Sequence, residues 1–212
     1  MANEVDRLAQ VNMIRRTARG DQVKAINYFA PQCFLFAPKD EDFDAIVAQM
    51  RNSVNTRQLA LNKIGLDEDQ LKEIPDVTFE GFQVDQWSNG TIDGFSRIGA
   101  DGKWRSGKYA VVHLFFSAAQ VYMYKYEFST YNNDKRERTE EYFYKDITNF
   151  STSSESVNAY NPNCLGQIKV TTANTQHFAL IVPGDKFECE TQMDIERNVQ
   201  GMKAKLREKK NA

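Results

Sequence analysis

The side chains able to do chemistry are few, and their spacing restricts what they can do. There are two histidines, His113 and His177, each set in an alternating apolar pattern of the kind that forms strands. A histidine so placed reads as a hydrogen-bonded core or sheet residue before it reads as an acid–base group. The three cysteines, Cys33, Cys164 and Cys189, form no C-x-x-C and are odd in number. Neither a disulfide framework nor a zinc site is expected, and inert thiols are. Folding could bring Cys164 or Cys189 beside His177 as nucleophile and base, so a pocket near His177 and Cys189 is the enzyme or small-molecule alternative. No H-E-x-x-H, G-x-S-x-G, S-x-x-K or phosphate-cradling glycine loop occurs.

Carboxylates gather at Asp40, Glu41, Asp42 and Asp44, and again at Asp67, Glu68 and Asp69. The EF-hand pattern fails for want of its glycine. Both clusters fall where helices should begin, and there acids complement the helix dipole. No metal or cofactor is therefore expected.

Basic residues form two groups. Lys103, Trp104, Arg105 and Lys108 follow the turn dipeptide Asp101-Gly102, and the last turns of the chain carry Lys203, Lys205, Arg207, Lys209 and Lys210. The terminal run could meet an anionic lipid surface, although bases at a helix C-terminus also satisfy the dipole, and the 103–108 group taken by itself reads as a solvated hairpin. Tyr122, Tyr124 and Tyr126, with Tyr142 and Tyr144 nearby, form a dense aromatic stripe. Such a stripe lines a partner groove or is a sheet wall covered by helices, and the second reading is preferred here.

The elements that must position these groups change character near Pro75. Residues 1–75 show helical spacing: Val5, Leu8, Val11 and Ile14; then Ala25, Ile26 and Phe29; then Phe43, Ile46, Val47 and Met50; then a helix from Thr56 to a stop at Gly65. From Asp76 the period falls to two. Strands are expected at 77–84, 95–100, 103–105, 109–116, 120–128, 138–144 and 147–153. A Ser/Asn-rich loop should cover 154–163, and a final hairpin 167–172/176–182 should turn at Ala173-Asn174-Thr175. Ile195, Val199, Met202 and Leu206 then mark a terminal amphipathic helix.

Strands followed by one closing helix over 76–210, together with the stretch Glu141-Tyr142-Phe143-Tyr144-Lys145-Asp146-Ile147-Thr148-Asn149-Phe150, resemble the bacterial pleckstrin-homology-like (PH-like, GRAM-like) domains. In these an aromatic strand runs into a similar Y-x-D-I-x-x-F link. The resemblance implies an α+β protein: a helical N-terminal region (1–75) packed on a PH-like antiparallel β-barrel or sandwich of about seven strands (76–212), capped by a C-terminal helix. It also implies a non-catalytic binding or scaffolding module whose partner is a protein or an anionic phospholipid surface, with Lys103, Trp104, Arg105 and Lys108 as the binding residues.

Length and composition fit this picture. The 212 residues are 41% hydrophobic and 26% charged, with a net charge of -2. That balance excludes a disordered or polytopic membrane chain and lacks the basic footprint of a nucleic-acid binder. Residues 1–19 mix four arginines with the apolar positions and contain no secretory h-region, so a cytoplasmic location is expected.

Overall fold

A computed structural model describes residues 2–31, 38–71, 76–83, 95–162 and 168–191, together with 203, 204, 207 and 208. Four helices come first: α1 (Ala2–Thr17), α2 (Asp21–Phe29), α3 (Asp40–Asn52) and α4 (Thr56–Ile64), followed by a short 3-10 turn, Glu68–Leu71. Their ends follow local rules. The Asp42 carboxylate accepts the backbone N–H of Lys39 at the start of α3, Asn55 accepts the Gln58 N–H at the start of α4, and Gly65 closes α4.

Among the described residues nine strands follow: β1 (Val77–Phe82), β2 (Ser96–Ile98), β3 (Trp104–Ser106), β4 (Lys108–Phe116), β5 (Gln120–Ser129), β6 (Lys135–Phe143), β7 (Asn149–Pro162), β8 (Ile168–Val182) and β9 (Asp185–Thr191). They make three antiparallel sheets, ordered β1-β4-β5-β6, β2-β3 and β7-β8-β9. The protein is thus α+β. Among the described residues no sheet closes into a barrel.

Alternation along β4 and β5 decides the layers. Val112, Leu114, Phe116, Val121 and Met123 face the β7-β8-β9 sheet and share a core with Phe178, Leu180, Phe187 and Cys189. The rings of Phe79 and Phe178 stack across this interface at 5.7 Å. Phe115, Tyr124, Tyr126 and Phe128 point the other way, against Ala60 and Leu61 of α4. A third core joins α1, α2 and α3 to Phe95 and Tyr131. The four-stranded sheet is therefore the middle layer, and the helical and strand halves share two of the three cores. Each fully buried aromatic on this sheet contributes about 2 kcal/mol relative to leaving it in water.

Three expectations from periodicity need correction. The Ser/Asn-rich stretch 154–163 belongs to β7 through Pro162 and pairs continuously with β8. Ala173, Asn174 and Thr175 are not a turn; they lie inside β8, opposite Val157, Ser156 and Glu155. The residues after Pro183-Gly184 form another strand, β9. Polar β-branched and small residues mask a strand when judged by hydrophobicity alone, because two-stranded extensions need bury little. Most of the expected terminal helix lies outside the described residues; Lys203, Ala204, Arg207 and Glu208 are helical. Cys33 and Cys164 are likewise outside them.

Candidate functional site

The 103–108 segment is not an open basic surface. The Arg105 side chain is only 3% exposed and lies within a cage of carboxylates. Its Nε and Nη2 donate to the two oxygens of Asp44, each at 2.7 Å, and its Nη1 and Nη2 donate to the two oxygens of Asp101, each at 2.9 Å. Asp40 stands 4.0 Å from Nη1. Asp40 also accepts the Tyr28 hydroxyl at 2.7 Å and the Ala100 N–H at 2.7 Å. Arg97 lies over the Tyr28 ring at 4.7 Å and donates to the Tyr28 carbonyl.

The acids on α3 thus act beyond the helix dipole. They clamp the β2–β3 hairpin to the helical layer, with a rigid guanidinium fork that matches two carboxylates at once. The hydrogen bonds that Arg105 donates to Asp44, then to Asp101, raise the Arg105 pKa, and the same bonds hold Asp101 well below the usual carboxylate range. For Asp40, burial pushes the pKa up, but the Tyr28 hydroxyl, the Ala100 N–H and the two arginines outweigh it and leave the carboxyl below its ordinary value.

Trp104 is also buried, and its indole N–H finds no acceptor among the described residues. Lys103 alone is open, 77% exposed, while Lys108 lines a separate groove with Glu127, Asp134, Lys135 and Arg136. The four residues do not assemble into one binding face.

His113 is a satisfied core residue. Thr56 Oγ1 lies 2.9 Å from its Nε2 and Thr78 Oγ1 2.9 Å from its Nδ1, so the imidazole links α4 to β1 through β4. A neutral ring donates from one nitrogen and accepts at the other, and the hydroxyls rotate to suit. Burial pushes its pKa down to about 4. His177 and Cys189 occupy opposite faces of their sheet. Cys189 pairs with Phe178 on the core face, and His177 pairs with Glu190 on the other.

The tyrosines also divide by face. Tyr122, Tyr124 and Tyr126 lie under α4 as a covered wall, with the Tyr124 hydroxyl donating to Glu137 at 3.0 Å and Lys63 of α4 pairing with the same carboxylate at 2.9 Å. Tyr142 and Tyr144 belong to the core between the sheets.

What remains as a site sits where β6 turns into β7 through the 3-10 turn Tyr144–Asp146. A cavity of about 230 Å³ opens there, lined by Tyr144, Ile147, Thr148, Asn149, Phe150, Lys203 and Arg207. Tyr144 and Ile147 are buried and form its apolar floor, and the Tyr144 hydroxyl is fixed by the Ser117 carbonyl at 2.8 Å. Lys203 and Arg207 are four residues apart, so one helical face carries both cations to the rim. No carboxylate is among the described lining residues. Beside it Phe143 is 47% exposed, with the Lys145 ammonium 5.5 Å from its ring centroid. The terminal basic run signalled half of this site; its apolar half depended on packing.

Compared with known proteins, the chain matches no family model, and neither a curated protein nor a solved structure matches it. Its class is set by its layers alone: an α+β protein in which helices and a three-stranded sheet cover opposite faces of a central antiparallel sheet. No helix among the described residues is long and apolar enough to cross a membrane.

Proposed function

We propose that the protein is a non-catalytic binding module that docks on an anionic phospholipid surface through the β6–β7 corner, from the cytoplasmic side. The observation that carries this reading is the cavity rimmed by Lys203 and Arg207 over an apolar floor. It is smaller than a typical drug-sized pocket of roughly 300 Å³ and suits a phosphate-bearing headgroup. The exposed Phe143, flanked by Lys145, supplies an apolar contact for the interfacial region. A four-stranded sheet facing a three-stranded one, followed by a helical segment, supports kinship with PH-like domains.

Co-sedimentation with phosphatidylcholine vesicles, with and without phosphatidylglycerol, tests this reading at low and physiological salt. Binding to the anionic vesicles that weakens with salt is expected. With about 1 kcal/mol per basic residue near such a surface, the Lys203→Ala/Arg207→Ala double variant should bind about thirtyfold more weakly. No binding to anionic vesicles, or binding indifferent to that double variant, overturns the reading and leaves a protein partner.

A further inference from the structure

The walls of the β6–β7 cavity are fixed by the fold. The Tyr144 N–H donates to the Ala119 carbonyl at 3.1 Å, which ties the 3-10 turn to the β4–β5 turn, and the Ile147 N–H donates to the Tyr144 carbonyl at 3.3 Å. Phe150 packs on Phe178 at 5.7 Å, against the core between the sheets. A rigid cavity discriminates among ligands by what each must leave unpaired. The Thr148 hydroxyl is already spent as a donor, to the Ile181 carbonyl at 3.0 Å. Asn149, exposed at the first position of β7, also lines the cavity, and its carboxamide bonds to none of the described residues. It offers two N–H donors and one carbonyl acceptor, whereas Lys203 and Arg207 at the rim offer donors and positive charge only.

We propose, resting on the membrane-docking reading above, that this cavity selects a phosphate ester of an uncharged polyol, the phosphoglycerol headgroup of phosphatidylglycerol, over a headgroup that carries an ammonium. Lys203 and Arg207 hold the phosphate oxygens through charge-assisted hydrogen bonds. Asn149 meets the glycerol hydroxyls, each of which both donates and accepts, as the carboxamide does. A serine headgroup carries its ammonium a few bonds from its phosphate. Bringing that phosphate to the two cations therefore sets a third positive charge beside them, and such repulsion is an effective source of specificity. The ammonium has no lone pair and can use only the carbonyl end of Asn149.

Phosphatidylglycerol and phosphatidylserine carry the same net charge near neutral pH, so diffuse attraction treats them alike and only a built site tells them apart. Co-sedimentation of the full chain with phosphatidylcholine vesicles holding equal fractions of one or the other makes the comparison at physiological salt. Binding about fivefold tighter to phosphatidylglycerol is expected, the effect of one group paired rather than repelled. The soluble headgroup glycerophosphoglycerol should release the protein from these vesicles at constant ionic strength, and glycerophosphoserine should release less. Asn149→Val suits an exposed strand position and should bring the two lipids within about twofold, while binding still weakens with salt. Equal binding of the unmodified chain to both lipids, or tighter binding to phosphatidylserine, overturns the proposal and leaves the corner as a salt-sensitive contact without headgroup selection. Binding to neither lipid overturns it together with the membrane reading. A folded Asn149→Val that keeps full discrimination also overturns it. Should that variant fail to fold, the soluble headgroups decide on the unmodified chain, and equal release by both counts against the proposal.

Discussion

The guanidinium of Arg105 holds the carboxylate of Asp44 through two parallel hydrogen bonds, Nε to Oδ1 and Nη2 to Oδ2, both 2.7 Å. Sixty-one residues separate the partners, and this bond joins the second hairpin strand to the third helix. A buried arginine in such a cage is stabilising only while its partners remain, and its loss leaves Asp40, Asp44 and Asp101 without the guanidinium that joins them.

Replacing Arg105 with alanine should therefore lower stability by about 3 kcal/mol, read as a fall in the urea midpoint. Arg105→Lys should recover little of it, since an ammonium cannot hold two carboxylates bidentately. A midpoint unchanged in both variants would show that the clamp contributes nothing.

Gly99 lies so close to this cage that a Cβ there would overlap the Asp40 carboxylate and the Arg105 guanidinium. Gly99→Ala should cost about 2 kcal/mol, by forcing the hairpin off α3. Combined with Arg105→Ala it should cost less than the sum, because both act on one contact. Thermal unfolding of the two single variants and the double variant measures the coupling.

His113 should impose a pH dependence on stability. Its folded pKa is depressed from 6.5 to about 4 by burial; the Asp76 and Glu80 carboxylates raise it, while Arg51 and Arg57 lower it further. The unfolded chain binds the proton more readily, so this stabilisation is present above pH 6.5 and is lost as pH falls toward 4. The full loss is about 3 kcal/mol. His113→Gln keeps a hydrogen-bonding side chain between the threonines without the titration. Urea midpoints between pH 5 and 7 should slope upward in the unmodified chain and stay flatter in the variant; equal slopes would contradict the assignment.

Lys103 and Tyr124 should behave in opposite ways. Lys103 is open to solvent, so Lys103→Ala should change stability by less than about 0.5 kcal/mol and leave vesicle binding intact. Tyr124 is fully buried under α4, and Tyr124→Ala should cost about 4 kcal/mol. Chemical denaturation of both variants checks this contrast.

Much of the architecture was legible in the residues themselves, because periodicity and capping are local. The alternation at 109–116 and 120–128 marks β4 and β5. Thr56 and Gly65 bound α4, and the Asp101-Gly102 turn, with Gly102 at a φ of 75°, joins β2 to β3. A helical half followed by an antiparallel half, and a tyrosine wall beneath helices, also follow from such patterns. Partners far apart in the chain do not. That Arg105 is caged rather than open, that His177 and Cys189 lie on opposite faces, and that Lys203 and Arg207 meet the floor made by Tyr144 and Ile147 were decided only by the tertiary structure. The same side chain is a solvated cation or a buried clamp according to what the fold sets beside it, and a one-residue change of strand register reverses which face it occupies.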